Sequence, residues 1–522
     1  MKRLMRFPAL ALTLLLALGL AGCGSTNTSA PADRAPTVLR LAGGDWGLPN
    51  PFRHYPRGPG IAKMELLYDS LLEKGETADI PWLAAKWEIS ADGRTYLFTL
   101  QDHAKWHDGR ALTAEDVKFS FDYYKQHPPV VNELLANGSY IINHIEIIDP
   151  KTVKITVDAP NATYLSKIGA VRILPKHIWE TVSDPLKFTG PAATIGSGPF
   201  MLDSYDSQQG TYRFKAFEQY WGPRPRLNAI EWIPVSDPVL AFEKGDIDLA
   251  QVTPDLLARY ENKPDYTILN NQLQHSYRII LNMEKRPELK DREVRKALVY
   301  GLDREEIVQK IARGAGVVGS MGCVPPGHAW HNAAVTNYRF DPEQARQLLN
   351  NQPLSLTLLV ENSPTDVKMA ELMKISLAKA GITLTVKSAD SKARDAAIQN
   401  KEYELVLIKT GGMGKDPDYL RNYYGSAGGK SSLSTGSPGY FNETVFALTR
   451  QQLQELDANK RRDIIFRLQA EIAAEVPQII LYHTIENYVF RPSVFDGWLF
   501  RYDHAPVEHA KLSYLVKGEG QK

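Results

Sequence analysis

A cysteine and two histidines lie close together in the sequence, as Cys323, His328 and His331. Thiolate and imidazole are ligands that zinc, nickel and copper accept, so this C-x4-H-x2-H spacing could hold such an ion if the loop wrapped around it. Two prolines and a glycine at 325–327 stiffen the loop. We therefore predict that the loop is structural and that the protein holds no metal and no cofactor.

Other motifs that indicate catalysis are absent or incomplete. H-E-x-x-H, C-x-x-C and G-x-S-x-G do not occur in the 522 residues. Residues 314–319 have the letters of a dinucleotide fingerprint, but a predicted helix precedes them where the fingerprint needs a strand. Residues 425–431 have one residue too few between glycines for a phosphate loop. The sequence therefore predicts a protein that is not an enzyme.

The composition excludes several other classes of protein. Lys and Arg number 61 against 60 Asp and Glu, a net charge of +1, which disfavours a nucleic-acid partner. The 43% hydrophobic and 23% charged residues are ordinary for soluble globular domains, and the length predicts about three of them. Two cysteines are too few for a disulfide framework. The packing of hydrophobic cores, without disulfide bonds, must therefore stabilise this chain.

The N-terminus has the layout of an export signal. Three basic residues precede an apolar run at 7–21, which is short for a membrane span. The run ends in Leu-Ala-Gly-Cys, which resembles the lipobox of bacterial lipoproteins, whose cysteine is acylated. We predict a signal peptide at 1–22, lipidation of Cys23 and a flexible tether at 23–37, with the protein anchored to the cell membrane on its extracellular or periplasmic side.

The remainder of the chain mixes strands and helices without a repeat. Strand-like alternation dominates 198–234, whereas apolar strands at 354–360, 382–386 and 405–408 alternate with helices such as 370–379. Two aromatic residues, Trp46 and Tyr419, lie beside glycine-rich loops that can bring a ring close to a ligand. The pattern predicts an α/β domain of about 200 residues in the second half of the chain.

A series of motifs runs along nearly the whole chain, and together they resemble family 5 extracellular solute-binding proteins, which serve ABC importers of peptides, dipeptides and nickel chelates. The motifs are P-W-L-A at 81–84, W-x4-D-G-x2-Y-x-F-x-L at 87–100, W-H-D-G-x2-L-T-A-E-D-V at 106–117, G-S-G-P-F at 196–200, Y-W-G at 220–222, G-D-I-D at 245–248, Asn282, V-R-x-A-L at 294–298, D-P-x3-A at 341–345 and D-P-D-Y at 416–419.

The resemblance implies an α/β fold of the periplasmic-binding-protein type, a class II clamp of two lobes with an additional inserted domain. Domain I would comprise 38–64, 189–281 and 486–522, domain II would be the insertion at 65–188, and domain III, at 282–485, would close over the ligand. Capture would occur by hinge closure. The implied partners are the ABC permease and ATPase subunits, and the implied state is a monomer.

The resemblance also implies where a ligand would bind, although this sequence departs from the family's pattern. In dipeptide and oligopeptide members an aspartate three residues before the Asp-Pro position pairs with the peptide ammonium, and Met413 stands there. Arg172 occupies a position where a nickel-chelate member uses an arginine to hold a carboxylate, and an Arg–Asp surface pair is the alternative explanation for it. The predicted ligand-binding residues are Trp46, Arg172, Tyr277, Met413, Asp416 and Tyr419.

The sequence leaves the ligand open. The main prediction is a binding protein for short peptides or a similar small carboxylate-bearing solute, and Asp416, Asp418 and Asp45 are the candidates to pair with a ligand ammonium. Within the family, the alternative is a nickel or metallophore chelate. A cell-surface metal-dependent hydrolase is the alternative from another class, and it would require the Cys323 loop to bind a metal.

Overall fold

The computed structural model describes residues 37–516 except 137, 272–274, 411–415, 426–435 and 502–504. The predicted signal peptide, Cys23 and Met413 lie outside the described residues. The strands, in chain order, are β1 (Val38–Gly43), β2 (Leu72–Lys74), β3 (Asp79–Pro81), β4 (Ala84–Ile89), β5 (Thr95–Leu100), β6 (Leu135–Ala136), β7 (Ser139–Tyr140), β8 (Ile142–Asp149), β9 (Thr152–Val157), β10 (Phe200–Asp206), β11 (Thr211–Ala216), β12 (Ala229–Pro234), β13 (Leu249–Val252), β14 (Thr267–Asn271), β15 (Ser276–Leu281), β16 (Gly316–Val318), β17 (Leu354–Glu361), β18 (Ile382–Ala389), β19 (Leu405–Thr410), β20 (Gln478–Thr484) and β21 (Glu486–Phe490).

The α-helices are α1 (Gly58–Leu67), α2 (Ala114–Gln126), α3 (Tyr164–Gly169), α4 (Lys176–Trp179), α5 (Pro238–Lys244), α6 (Arg292–Tyr300), α7 (Arg304–Ile307), α8 (Pro342–Leu348), α9 (Pro364–Lys379), α10 (Ser391–Gln399), α11 (Tyr419–Tyr424), α12 (Glu443–Gln454) and α13 (Ala458–Glu475). A π-helical segment, Val308–Ala312, continues α7, and short 3-10 helices are Pro191–Thr194, Pro254–Arg259, Pro287–Lys290, Val507–His509 and Lys511–Tyr514. In the part of the chain that the structure describes, no helix is both long enough and apolar enough to cross a membrane.

The second half of the chain forms one six-stranded sheet in the order β16-β20-β15-β19-β17-β18. Strands β17, β18 and β19 are parallel, and α9 and α10 form the crossovers between them, as parallel pairing requires. Along β17 every second residue is buried, namely Leu354, Leu356, Leu358 and Val360. These side chains share one hydrophobic core with the buried face of α9. A strand that buries every second residue therefore packs against a helix that buries one face, and together they form an α/β layer.

Three sheets of three or four strands, with the two-stranded pairs β2-β3 and β6-β7, build the first half of the chain and its C-terminal end. A four-stranded sheet in the order β1-β12-β11-β10 and a three-stranded sheet in the order β13-β21-β14 lie in the range predicted for domain I. An antiparallel sheet in the order β4-β5-β9-β8 lies in the range predicted for domain II, with α2 packed on β8 and β9. We use the names domain I, II and III below for these three parts.

The structure corrects one predicted boundary. Strand β15 falls in the range predicted for domain I, but it pairs with β19 and β20 inside the six-stranded sheet. The chain therefore enters domain III between Asn271 and Ser276, six to ten residues before the predicted start at 282. It returns between Thr484 and Glu486, so two short connections join the domain I and domain III sheets.

Candidate functional site

One edge of the domain III sheet collects the ends of its parallel strands. Strands β17, β18 and β19 end there at Glu361, Ala389 and Thr410. Ser276 at the start of β15 pairs with Thr410, so the connections to domain I leave from the same edge. In open α/β sheets ligands bind outside the carboxyl ends of the strands. This edge, facing the connections, is therefore where the fold favours a binding site.

The walls of a cavity of about 510 Å³ come from three parts of the chain. Domain II, domain III and the C-terminal segment each contribute, and the lining residues are Glu76, Thr77, Ala78, Asp79, Ser166, Gly327, His328, Ala329, Trp330, Asp416, Arg462, Phe500 and Arg501. The volume lies within the range of small-molecule sites, and the lining combines aromatic rings with charges of both signs. Of the five predicted ligand-binding residues that the structure describes, only Asp416 lines it.

Asp416 is already paired within the protein. Its two carboxylate oxygens accept hydrogen bonds from the Arg461 guanidinium at 2.6 and 2.7 Å, and one also accepts from the Asp418 backbone N–H at 2.8 Å. Asp418 in turn accepts from Arg421 at 2.8 and 2.9 Å. Both carboxylates therefore hold the start of α11 in place, with their charge compensated.

Trp330 and Arg462 are site residues that the sequence did not reveal. The guanidinium carbons of Arg461 and Arg462 lie 5.4 and 5.2 Å from the Trp330 ring centroid. Arg462 also donates to the Ala329 carbonyl at 2.6 Å. Because this contact joins positions 133 residues apart, no local spacing indicates it. The adjacent residues Arg461 and Arg462, near the start of α13, were the only feature of the local sequence that marked this site.

Arg172 does not line this cavity, and it lies in a buried network of ion pairs. The side chain is buried, and it donates to Glu65 at 2.7 Å, to Ser70 at 3.0 Å and to Glu73 at 3.4 Å. The alternative explanation was an Arg–Asp ion pair at the surface. The structure does have Arg172 in ion pairs within the protein, but its partners are glutamates and the pairs are buried. Glu65 and Glu73 compensate the charge of the guanidinium within the protein, so we do not assign a ligand carboxylate to Arg172.

Tyr277 and Tyr419 lie at the sheet edge but do not line the cavity. The Tyr277 ring stacks on Tyr482 with centroids 5.0 Å apart. Burial, reinforced by the Asp366 and Glu361 carboxylates, raises the pKa of Tyr277 to about 12, so its hydroxyl stays protonated. Among the described residues, the buried Tyr419 hydroxyl has no hydrogen-bond partner. Both rings are available to a ligand only if it extends beyond the cavity.

Trp46 lies apart from the cavity, in the loop after β1. Its backbone N–H donates to the Tyr212 hydroxyl at 2.8 Å, and its ring contacts Tyr55 edge to face at 5.6 Å. Neighbouring Asp45 accepts hydrogen bonds from the Tyr205 and Tyr212 hydroxyls at 2.7 and 3.2 Å. The structure therefore brings neither Trp46 nor Asp45 to the cavity wall.

The loop with Cys323, His328 and His331 is held by its own hydrogen bonds. His328 Nδ1 accepts from the Trp330 backbone N–H at 3.1 Å, His331 Nδ1 lies 2.9 Å from the Val324 carbonyl, and Cys323 is fully buried. Among the described residues, no group of three His, Cys, Asp or Glu side chains could hold a metal ion. These contacts position His328 and Trp330 at the cavity.

Comparison with known proteins defines the class. Residues 80–432 match the family model described as bacterial extracellular solute-binding proteins, family 5 Middle. The chain belongs to this family, which consists of solute-binding proteins and not enzymes. The predicted clamp-type α/β fold is thereby confirmed, and the protein is a periplasmic or extracellular solute-binding protein.

Particular relatives cover most of the chain. The dipeptide-binding protein of Escherichia coli K12 is 27% identical over 468 residues, covering 82% of this chain and 84% of that protein. Heme-binding protein A of Haemophilus influenzae is 27% identical over 493 residues, covering 84% and 87%. The crystal structure of the ABC transporter substrate-binding protein CtaP from Listeria monocytogenes superposes with a TM-score of 0.77 at 24% identity, covering 92% and 98%.

Proposed function

We propose that this protein is the lipid-anchored substrate-binding subunit of an ABC importer, which captures short peptides or a similar small carboxylate-bearing solute and delivers it to a membrane permease. The observation that carries the proposal is the cavity of about 510 Å³ between domains II and III, whose walls combine carboxylates, guanidinium groups and aromatic rings. A zwitterionic solute with an apolar part matches such walls.

The chemistry of the cavity favours peptides among small solutes. Asp79 and Glu76 can attract an ammonium group, Arg462 can attract a carboxylate, and the Trp330 and Phe500 rings can cover an apolar side chain. The E. coli relative named as a dipeptide-binding protein supports the same class. Nothing in the described residues favours a nickel chelate over a peptide.

The fold supports capture by hinge closure. The domain III sheet is joined to domain I through the two connections at 271–276 and 484–486, while domain II contributes the opposite cavity wall. Rotation about these connections would open and close the cavity. We infer domain I at 38–64, about 189–275 and 486–522, domain II at 65–188 and domain III at about 276–485, acting as a monomer with a permease and an ATPase.

The ligand class is tested by analysing what the protein carries. The full-length protein is extracted from its membrane in detergent, washed and denatured, and the released small molecules are identified by mass spectrometry. We expect short peptides, or solutes with at least one carboxylate, at close to one molecule per chain. Release of a stoichiometric solute without a carboxylate would refute the proposed class.

Lipid anchoring predicts a specific effect of one substitution. Cys23 is the cysteine that directly follows the N-terminal apolar run, and an acylated cysteine there would provide the whole attachment. In Cys23→Ala we expect the folded protein to move from the membrane fraction to the soluble or secreted fraction, measured by fractionation and immunoblotting. Cys323→Ala, the matched control, should stay with the membrane. Full membrane retention of Cys23→Ala would contradict lipid anchoring.

A further inference from the structure

We propose that Arg461 of domain III determines which charges the cavity accepts, because it holds and neutralises the Asp416 carboxylate on the cavity wall. This inference rests on the proposed function and deepens it, since it assigns the charge selectivity of solute capture to a residue that does not itself line the cavity. Arg461 is therefore a positioning residue, which acts on the solute through Asp416 and Trp330.

The Arg461 guanidinium binds Asp416 through both carboxylate oxygens. Nη1 donates to one oxygen at 2.7 Å and Nη2 to the other at 2.6 Å, which is the fork that a planar guanidinium offers to a carboxylate. The Arg461 side chain is 7% exposed, whereas that of Asp416 is 32% exposed. The positive partner is therefore buried, and the negative partner is the one that lines the cavity.

Arg461 is itself fixed by the end of α12. Its Nε donates to the backbone carbonyl and to the side-chain oxygen of Gln452, each at 3.1 Å, and Nη2 donates to the same side-chain oxygen at 2.6 Å. Gln452 is 1% exposed, and its amide nitrogen donates to Asp418 at 2.7 Å. These bonds hold the plane of the guanidinium, so it meets Asp416 in one geometry.

The same guanidinium supports a second residue of the cavity wall. Its central carbon lies 5.4 Å from the centroid of the Trp330 ring, a distance at which a cation and an aromatic face attract each other. Trp330 precedes α8, whereas Asp416 follows β19. Arg461 therefore joins two separate loops at one part of the wall, and its removal should disturb both of them.

The pair controls how much charge this part of the wall presents. An ionised carboxylate without its partner would attract cationic solutes and repel anionic ones, whereas the paired carboxylate presents little net charge. Removing the charge of Arg461 and removing that of Asp416 therefore have opposite electrostatic consequences. A merely structural role would instead weaken capture of all solutes alike. The other charged lining residues are the same in every variant, so they do not change the direction of these shifts.

The test uses the full-length protein in detergent with three tripeptides that differ only in the middle residue: Ala-Lys-Ala, Ala-Gln-Ala and Ala-Glu-Ala. Relative affinities are measured by competition with mass-spectrometric detection. Arg461→Met should raise the preference for the lysine peptide over the glutamate peptide by about tenfold, and Asp416→Asn should lower it. The double variant should return to within about twofold of the wild type, because neither charge remains.

Control variants separate charge from geometry. Arg461→Lys keeps the charge but not the planar fork, so it should keep the charge preference of the wild type while binding all three peptides more weakly. Arg467→Met and Asp463→Asn remove the same charges from exposed positions on α13 and should leave the preference unchanged. Asp416→Asn keeps the size of the side chain, so it remains informative if Arg461→Met does not fold.

A second measurement needs no peptide. Caesium and iodide ions quench the fluorescence of Trp330, whose contribution is obtained by subtracting the emission of Trp330→Phe made in the same background. In Arg461→Met, caesium quenching should rise relative to iodide quenching by about twofold or more, because the local concentration of cations increases. Asp416→Asn should shift the ratio in the opposite direction.

The outcomes separate the two proposals. If the wild type binds the peptides but Arg461→Met weakens all three equally, Arg461 does not determine charge selectivity, and peptide capture stands. If the wild type binds none of the peptides, peptide capture fails, and ion quenching then decides the role of the pair. Opposite shifts of the quenching ratio in the two variants would support that role, and an unchanged ratio would overturn it.

Discussion

The joint between domains I and II differs in kind from the joint between domains I and III. At the first joint, Lys511 of domain I contacts Glu73 at 2.5 Å and Asp69 at 2.9 Å, both in domain II. Within domain II, Arg172 contacts the same Glu73 and the boundary residue Glu65. All five side chains are at most 7% exposed. A buried network of this kind requires each charge to keep its partner, so the two domains are locked in one arrangement.

The joint with domain III has few contacts of this kind. The two strand connections are linked by His275 and Glu486, 3.2 Å apart. An exposed ion pair also joins Arg313 of domain III to Asp255 of domain I. Domain III further contacts domain II, where the Ala162 N–H donates to the Leu453 carbonyl at 2.8 Å and Gly93 lies against Leu456. Exposed pairs and single contacts contribute little free energy, so they can be broken and remade.

The comparison shows which of the two joints contributes more to the stability of the protein. Buried charges are concentrated at the joint that the proposed mechanism keeps rigid, and weak contacts at the joint that it moves. Arg172 belongs to the first group, so its charge is compensated within the protein. The comparison also predicts that substitutions at the two joints will separate loss of stability from loss of closure.

The largest expected effect is on the rigid joint. Arg172→Met should lower the free energy of unfolding by about 3–5 kcal/mol, because Glu65 and Glu73 each lose a partner while remaining buried. Urea denaturation followed by circular dichroism measures this change. Arg110→Met is the control, since Arg110 is 66% exposed and 3.9 Å from Asp108, and it should cost less than about 1 kcal/mol. Equal effects of both substitutions would contradict the rigid-joint interpretation.

A smaller effect is expected in the acid dependence of stability. Burial alone would raise the pKa of Glu65, but the charges of Arg172, Lys74 and Arg501 outweigh it and lower the pKa to about 2. In the unfolded chain the pKa is about 4.3, so protons bind first to the unfolded state. The contribution of Glu65 is therefore fully present above about pH 5 and is lost as the pH falls toward 2.

Glu65→Gln removes that titration. We expect its unfolding free energy to fall less steeply than the wild type's between pH 5 and pH 2, by on the order of 2 kcal/mol across the range, measured from urea midpoints at several pH values. Buried His107, whose pKa burial lowers to about 4, adds an acid dependence of its own that the variant should retain. Parallel curves for variant and wild type would show that Glu65 is not stabilised as an ion.

Local pattern predicted the elements well because their causes are local. Alternation predicted strands at 354–360, 382–386 and 405–408, and the structure has them as Leu354–Glu361, Ile382–Ala389 and Leu405–Thr410. The helix predicted at 370–379 is the second part of α9. Each prediction needed only neighbours a few residues away to decide which face is buried.

The site could not be predicted in the same way because its contacts are distant in sequence. Arg172 meets Glu65 across 107 residues, and Arg462 meets Ala329 across 133. Nothing near Arg172 in sequence shows that two glutamates will neutralise it. The misplaced boundary at β15 has a similar cause, since an apolar strand shows its period but not the sheet it joins.

The smallest expected effect on stability is at the mobile joint, and it should appear in closure instead. Leu456 is 44% exposed and lies against Gly93 of domain II, a contact that exists only while the lobes are together. Leu456→Ala should cost less than about 1 kcal/mol of unfolding free energy but shift the population toward an open form and weaken solute binding several-fold. The open form would show as a larger radius of gyration in X-ray scattering.

Ile375→Ala is the matched control, because Ile375 is 55% exposed on α9 and its substitution should change neither the unfolding free energy nor the population of the open form. A Leu456→Ala variant that is destabilised as much as Arg172→Met, with unchanged dimensions, would show that this joint is as rigid as the other.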